Sequence, residues 1–224
     1  MMTAGSRGDV APFTGLGHGL QAAGHDVTLV THETFAALAD RAGLAFHGLP
    51  IDPQALLRTE DGQRLLSSRS GPAKLARVLA LARGLVGEMA DGMLETARTS
   101  DVLLLSGSVA PLGHVIADSL GLPSRGVYLQ PLASTAAFPP PVIGTRPLGR
   151  AGNRLAGRAV VAALDLVFTE EARALQARLG LPRDRSRARR RARELRDWPV
   201  HHGFSPLVVP RPADWRPGHT ISGY

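Results

Sequence analysis

Short apolar runs alternate with longer amphipathic segments along the first two thirds of the chain. The short runs have the length of buried strands, and the longer segments carry apolar residues at helical spacing. Strands that alternate with helices are typical of a parallel sheet. The pattern predicts strands at Val27–Thr31, Ala45–Leu49, Asp101–Ser106 and Ser124–Leu129.

Helices are predicted between these strands and after them. Glycine follows three of the helices, at positions 24, 43 and 121, where it can take the left-handed conformation that ends a helix. The predicted helices are Pro12–Ala23, Glu33–Ala42, Pro72–Arg98 and Pro111–Leu120, and a helical pattern from Leu148 to Leu179 breaks near Asp165. The sequence therefore predicts an α/β protein with a doubly wound parallel sheet.

Three segments depart from this alternation. A doubly wound sheet opens with a buried strand of about five residues, and Met1–Ala4 supplies only the last part of one, so we expect a clipped first strand. Repeated prolines predict a long irregular loop from Gln130 to Pro147, with Leu132 and Phe138 exposed in it. Near the end of the chain, Leu207–Val209 predicts another strand.

Composition narrows the class of protein. The chain has 224 residues with 44% hydrophobic and 20% charged residues, which excludes wholesale disorder. It contains no cysteine, which excludes a disulfide scaffold and a cysteine nucleophile. No apolar run approaches the roughly 20 residues of a membrane span, and no secretion signal is visible, so we expect a cytoplasmic protein.

The net charge of +7 comes from one segment. Between Arg183 and Arg196, eight arginines face two acidic residues, which leaves a charge of about +1 for the rest of the chain. No aromatic residue interleaves with these arginines to stack on bases, so we expect no nucleic-acid partner. Contact with anionic lipid head groups is the better minority hypothesis for this segment.

The sharpest local feature is the segment Gly5–Pro12, where the first strand ends and the first helix begins. Open α/β sheets bind their ligands at such a junction. Asp9 has two interpretations here. It can be the N-cap of the helix, which pattern alone favours, or it can act as a general base, because the helix dipole favours its carboxylate form.

Other chemistry is less well supported by the sequence. The eight histidines form no metal-binding spacing, so we expect no metal site. His201 and His202 would point to opposite faces of a strand. The glycines at 15, 17 and 19 fall inside a helix pattern, which favours close packing over dinucleotide binding. Ser106 and Ser108 follow a strand, where they would line a cleft or cap the next helix.

Four segments in chain order together resemble the bacterial GT-B glycosyltransferases that glucosylate sterols, macrolides and glycopeptide aglycones. Gly5–Phe13 resembles their opening loop, and Gly24–His32 resembles their second strand. Pro131–Pro140 resembles the loop on the acceptor side, and Phe204–Trp215 resembles the approach to the linker between domains. The resemblance implies the Rossmann-like N-terminal half of a GT-B fold.

The resemblance also implies an activity and roles for residues. Asp9 would be the general base of an inverting transfer of a hexose from a nucleotide-sugar to a hydroxyl of a lipophilic acceptor. Ser6 would orient the acceptor or a donor phosphate, and Phe138 with its neighbouring prolines would wall the acceptor pocket. We assign further substrate contacts to Gly5, Arg7, Gly8, Ser106 and Gln130.

By the same resemblance, residues 1–205 would form the acceptor-binding domain and residues 206–224 would begin the interdomain linker. We expect the nucleotide-sugar domain to lie outside this chain, with a separate C-terminal half as one alternative, and the chain by itself to transfer no sugar and hold no cofactor tightly. The alternative from another class is a stand-alone binding module for a hydrophobic ligand, in which Asp9 is only a cap.

Overall fold

The computed structural model describes residues 1–50, 89–182 and 198–223, and the chain divides into two compact units, Met1–Ser100 and Asp101–Tyr224. The predicted helix Pro72–Arg98 lies outside the described residues except for its last part, where residues 89–97 are helical. The arginine segment Arg183–Arg196 also lies outside them. No helix in the described ranges is long and apolar enough to cross a membrane.

The first unit consists of short parallel strands and the helices that connect them. Its elements are α1 (Arg7–Ala22), β1 (Thr28–His32), a 3-10 turn (Glu33–Phe35), α2 (Ala36–Arg41), β2 (Ala45–Leu49) and the helical residues 89–97. Strand β1 pairs in parallel with β2, with Thr28 opposite Ala45. The strands and helices predicted between residues 12 and 49 are therefore present, although α1 begins at Arg7, five residues before its predicted start.

The residues before α1 form the stub of a strand. Met2 makes an isolated parallel bridge to Val30, with hydrogen bonds from the Thr3 N–H to the Val30 carbonyl and from the Val30 N–H to the Met1 carbonyl. The Met2 side chain is buried, as are Leu29 of β1 and Phe13 of α1. The described structure therefore has a bridge where a full strand of five residues would stand.

Gly17 allows α1 to approach its surroundings closely. A Cβ atom at this position would lie 2.7 Å from the Met1 side chain and 2.8 Å from that of Leu44. The neighbouring glycines 15 and 19 have nothing within 4 Å of such an atom. Gly17 thus allows α1 to pack closely against the side chains of Met1 and Leu44.

The second unit contains a four-stranded parallel sheet in the order β3-β4-β5-β6. Its elements are β3 (Leu103–Leu105), α3 (Ala110–Leu120), β4 (Ser124–Tyr128), α4 (Gly149–Val167), α5 (Thr169–Arg178), β5 (Val200–His202) and β6 (His219–Ile221). The left-handed Gly121, with φ of +67°, ends α3 as predicted. Adjacent His201 and His202 face opposite sides of β5, since His202 is buried and His201 is partly exposed.

The tail of the chain differs from its prediction. Residues 206–209 form a turn instead of a strand, and the Leu207 side chain is 94% exposed. The strand prediction at Leu207–Val209 was therefore wrong. Farther along, His219–Ile221 pairs with Val200–His202, so the segment 206–224 contributes the edge strand of this sheet.

Candidate functional site

The Ser6–Asp9 cap, formed by residues 6–9, opens helix α1. Ser6 is the N-cap, and Asp9 is the third helical residue, so the interpretation of Asp9 as the N-cap residue was wrong. The Ser6 backbone N–H and the Ser6 hydroxyl both donate hydrogen bonds to Asp9 Oδ2, each at 2.8 Å. Asp9 thereby closes a capping box with Ser6.

Gly5 is the residue that makes room for this carboxylate. Its φ of +141° lies in the region that glycine favours, and a Cβ atom there would overlap Asp9 Oδ2. The Gly5 N–H donates a hydrogen bond to Nε2 of the buried His32 at 3.0 Å. The turn is therefore held on one side by β1, which ends at His32, and on the other by the cap.

This arrangement presents a partly exposed carboxylate at the positive end of a 16-residue helix. The hydrogen bonds from described residues reach Oδ2, so Oδ1 is the oxygen available for an incoming hydroxyl proton. Arg7 and Gly8 lie exposed in the same first turn. The site can therefore hold a fixed carboxylate base beside donors that suit a polar substrate.

A cavity of about 360 Å³ lies within the second unit. Residues of the sheet strands line one side, and Arg158, Val161 and Asp165 of α4 line another. The loop after β4 contributes Leu132–Ser134. A largely apolar cavity of this volume with a few charged groups has the properties of a small-molecule site.

Both tryptophans of the chain line this cavity. Trp215 stacks on His202 with ring centroids 4.3 Å apart, and Trp198 contacts His114 edge-on at 4.4 Å. Burial and the charge of His219 lower the pKa of His202 to about 3. His202 is therefore a neutral aromatic residue that packs against the lining residue Trp215, and its Nε2 lies within hydrogen-bond distance, 3.2 Å, of His219 Nδ1.

Asp214 fixes the rim of the cavity. It accepts hydrogen bonds from the Thr135 hydroxyl at 2.6 Å, the Ala136 N–H at 2.8 Å and the Arg154 guanidinium at 2.8 Å. Burial would raise the pKa of Asp214, but these three hydrogen bonds and the Arg154 charge outweigh burial and lower it to about 2. Asp214 thus joins the irregular loop, α4 and the tail.

The structure distributes the predicted site residues between the two units. Gly5, Ser6, Arg7, Gly8 and Asp9 lie together in the first unit, within a single turn of chain.

The remaining predicted residues belong to the second unit and are not among the residues that line the cavity. Ser106 is buried, and its hydroxyl is 2.8 Å from that of Ser108 just before α3. Gln130 is exposed, and Phe138 is half-buried instead of exposed. Of the irregular loop, residues 132–134 reach the cavity in place of Phe138.

Sequence reasoning missed the residues that do line the cavity. Trp198 and Trp215 carried a signal, because they are the only tryptophans in a chain with 4% aromatic residues. Asp165 carried another, since it is the charged residue in the apolar helical run 159–167, and an acidic residue in such a run is often buried for a reason. Within residues 1–50, 89–182 and 198–223, no group of three His, Asp or Glu side chains is placed to hold a metal ion.

Parallel strands with a glycine turn leading into a helix N-terminus define a Rossmann-like α/β protein. Residues 1–99 match the profile of the glycosyltransferase family 28 N-terminal domain. The first 99 residues of the chain are therefore similar to a glycosyltransferase family 28 N-terminal domain.

Individual relatives agree with this assignment. Over its whole length the chain is 33% identical to the O-mycaminosyltylonolide 6-deoxyallosyltransferase of Streptomyces fradiae, of which it covers 53%. It is 27% identical to a sterol 3-beta-glucosyltransferase of Arabidopsis thaliana, of which it covers 37%. The chain therefore spans about half or less of the length of these curated relatives.

Solved structures show the same fold. The crystal structure of CalG4, the calicheamicin glycosyltransferase, superposes on 99% of this chain with a TM-score of 0.65 at 13% identity, and the chain covers 51% of it. The fold is therefore that of the N-terminal half of a GT-B glycosyltransferase, as the sequence predicted.

Proposed function

We propose that this chain is the acceptor-binding half of an inverting glycosyltransferase that moves a hexose from a nucleotide-sugar to a hydroxyl of a lipophilic acceptor. The observation that carries the proposal is the Asp9 carboxylate, fixed at the N-terminus of α1 in a family 28 N-terminal domain. The relatives act on a sterol and on a macrolide, which supports an acceptor of lipophilic class.

Asp9 is the general base in this proposal. The acceptor hydroxyl gives its proton to Oδ1 while its oxygen attacks the anomeric carbon, and the nucleoside diphosphate leaves from the opposite face. Ser6 holds Oδ2 through two hydrogen bonds, so the carboxylate needs no second acidic residue to orient it. A positioned base of this kind contributes about 10²–10⁴-fold to the rate.

The cavity of the second unit is the proposed acceptor site. Its aromatic and aliphatic lining suits a polycyclic or macrocyclic aglycone, and the charges of Arg158 and Asp165 provide polar contacts that orient it. We keep the proposal that the acceptor is also contacted by three residues outside the cavity lining, Ser106, Gln130 and Phe138.

The nucleotide-sugar is proposed to bind in a second half, because the chain spans about half of its Streptomyces relative. Stabilising the leaving diphosphate is commonly worth several kcal/mol of the barrier. We therefore propose that these 224 residues by themselves transfer no sugar.

The test uses the chain joined to the donor-binding half of the Streptomyces fradiae relative. We expect Asp9→Asn to lower kcat by about 10²–10⁴-fold, because asparagine keeps an acceptor for the cap and cannot take the proton. Asp101→Asn, at an exposed carboxylate, is the matched control and should leave kcat unchanged. Near-normal turnover of Asp9→Asn would refute the base and leave Asp9 with a role in the cap alone.

A further inference from the structure

The buried imidazole of His32 lies at the carboxyl end of β1. The residue is 2% exposed, and the strand before it is buried from Leu29 onward. An apolar side chain would fill this space without the cost of removing an imidazole from water. A histidine at this position is therefore expected to make a hydrogen bond that an apolar residue could not make.

That hydrogen bond reaches the turn before α1. The Gly5 N–H donates to His32 Nε2 at 3.0 Å, and the two residues are 27 positions apart in the chain. Because an imidazole nitrogen that accepts a hydrogen bond carries no proton, this geometry requires a neutral ring with its proton on Nδ1. The contact thus ties the turn to the strand and selects one tautomer of His32.

The Gly5 backbone and the Asp9 carboxylate occupy adjoining space. A Cβ atom at Gly5 would overlap Asp9 Oδ2, so the carboxylate lies directly against this backbone. The next N–H in the chain, that of Ser6, donates to the same carboxylate oxygen at 2.8 Å. Consecutive N–H groups therefore bind His32 and Asp9, and a movement of the first peptide would displace the second.

Thr3 attaches the same turn to β1 a second time. The residue is 0% exposed, and its hydroxyl donates a hydrogen bond to the Asp9 carbonyl at 2.9 Å. The Thr3 N–H in turn donates to the Val30 carbonyl at 3.0 Å. The chain around Asp9 is therefore held to one strand at two points, through Thr3 and through His32.

We propose that His32 is a positioning residue for the Asp9 carboxylate, which it holds in place through Gly5 and Ser6. This role rests on the proposed function, in which Asp9 takes the acceptor proton. His32 is too deeply buried to touch an acceptor, so its effect on the reaction passes through the turn. Without this acceptor, the Gly5 N–H would turn toward another partner, and the Ser6 N–H would move away from Asp9 Oδ2 with it.

The size of the effect follows from the geometry that a base requires. A misplacement of about 1 Å in the reacting groups can cost about 10²-fold in rate. A histidine that only stabilised the end of the strand would change the free energy of unfolding and leave kcat of the folded enzyme unchanged. The kcat of folded variants therefore separates positioning from stabilisation.

The first measurement needs neither a variant nor an activity. NMR of the nitrogen-labelled full chain at neutral pH reports which imidazole nitrogens carry a proton. We expect His32 to have an unprotonated Nε2 and a protonated Nδ1, as the Gly5 contact requires. A proton on Nε2 would exclude that contact and overturn the proposal, even if every variant of His32 failed to fold.

The second measurement uses the chain joined to the donor-binding half of the Streptomyces fradiae relative. His32→Phe keeps a buried ring and removes the acceptor, and it should lower kcat about tenfold to hundredfold while KM for the acceptor stays unchanged. His32→Gln should retain most of the wild-type kcat, because its side-chain carbonyl can accept from the Gly5 N–H. His25→Phe, at an exposed histidine of the same unit, is the matched control and should leave kcat unchanged.

Combining His32→Phe with Asp9→Asn shows whether His32 acts through Asp9. In the Asp9→Asn variant, His32→Phe should lower kcat little further, because the base that it positions is already absent. An equal loss in both backgrounds would show that His32 supports the fold alone, and the proposal would be overturned.

The single variants distinguish the two proposals. Near-normal turnover of Asp9→Asn would refute the base itself and the role of His32 with it. Loss of turnover in Asp9→Asn together with wild-type kcat in His32→Phe would refute the role of His32 alone.

Discussion

The Ser6–Asp9 cap depends on a glycine at position 5. The carboxylate of Asp9 occupies the space that a side chain at Gly5 would need, and φ at Gly5 is +141°. The same small residue thus allows both the sharp turn after the strand stub and the approach of the proposed base to the Ser6 N–H.

Gly5→Ala should lower the free energy of unfolding by about 1–3 kcal/mol, because it combines backbone strain with displacement of the Asp9 carboxylate. Gly19→Ala within α1 is the control, since Gly19 is exposed and has free space around it. That substitution should stabilise the protein by about 0.5–1 kcal/mol. Chemical denaturation measures the free energy of unfolding of both variants, which should change in opposite directions. Equal changes would show that the turn does not require glycine at position 5.

A second residue-scale prediction concerns pH. The folded state holds the pKa of His202 at about 3, well below its ordinary value of 6.5, mainly because the ring is buried. The unfolded chain therefore binds a proton more readily, and stability falls as the pH drops from about 6.5 toward 3. His202 by itself should cost about 2 kcal/mol between pH 7 and pH 5.

Denaturation measured at pH 7 and pH 5 tests this value. His202→Gln should lose about 2 kcal/mol less than wild type over this interval. His201→Gln, at the partly exposed neighbour, should keep most of the wild-type dependence. If His202→Gln does not fold, the ring signals of His202 in wild type should stay unshifted from pH 7 to pH 5. A shifting signal would contradict the burial argument.

The sequence contains the pattern of this cap, but the predicted N-cap, Asp9, lies three residues after the observed N-cap, Ser6. Serine followed three positions later by an acidic residue is the pattern of a capping box, and it identifies Ser6 as the N-cap. The proline at position 12 suggested a later start, yet Pro12 lies within α1 as its sixth residue, where it lacks the N–H that would donate to the carbonyl four residues earlier.

At the scale of elements, the irregular loop and the tail are joined by Asp214. Its three hydrogen bonds reach Thr135, Ala136 and Arg154, which are 60 to 79 residues away in the chain. Arg211 adds hydrogen bonds to the carbonyls of Trp215, Arg216 and His219 within the tail. The rim of the cavity is therefore set by polar contacts and not by regular structure.

Asp214→Asn should lower the free energy of unfolding by about 1–3 kcal/mol, because an amide donates where the Thr135, Ala136 and Arg154 groups also donate. It should also speed proteolytic cleavage within the exposed residues 141–150. Thermal unfolding and limited proteolysis, with Asp101→Asn as the control, measure both effects. Unchanged cleavage would show that Asp214 does not hold the loop.

Most elements followed from local sequence. The strands at 45–49 and 124–128 and the helices around 36–41 and 110–120 arise from apolar periodicity and glycine ends, which act within a few residues. The predicted strand at Leu207–Val209 failed because prolines flank it on both sides and favour a turn. β6 is only three residues long and was overlooked, since its pairing partner lies 19 residues earlier.

For the whole molecule, the family and half of the candidate site could be predicted, and the cavity could not. The Gly5–Asp9 segment is continuous in sequence, so a resemblance could locate it. The cavity is lined by residues from Gly107 to His219, which only the folded second unit brings together. No local pattern signals such a set, apart from the scarcity of tryptophan.

That scarcity provides the most direct test of the central claim, that this chain binds the acceptor. Because both tryptophans line the cavity, titration with a sterol or macrolide should change nearly all of the intrinsic tryptophan fluorescence and should saturate. Ala133→Phe, which fills the cavity, should abolish the saturable change, whereas Ala137→Phe, exposed in the same loop, should preserve it. An absent response to both acceptor classes, or one that Ala133→Phe leaves intact, would contradict the account.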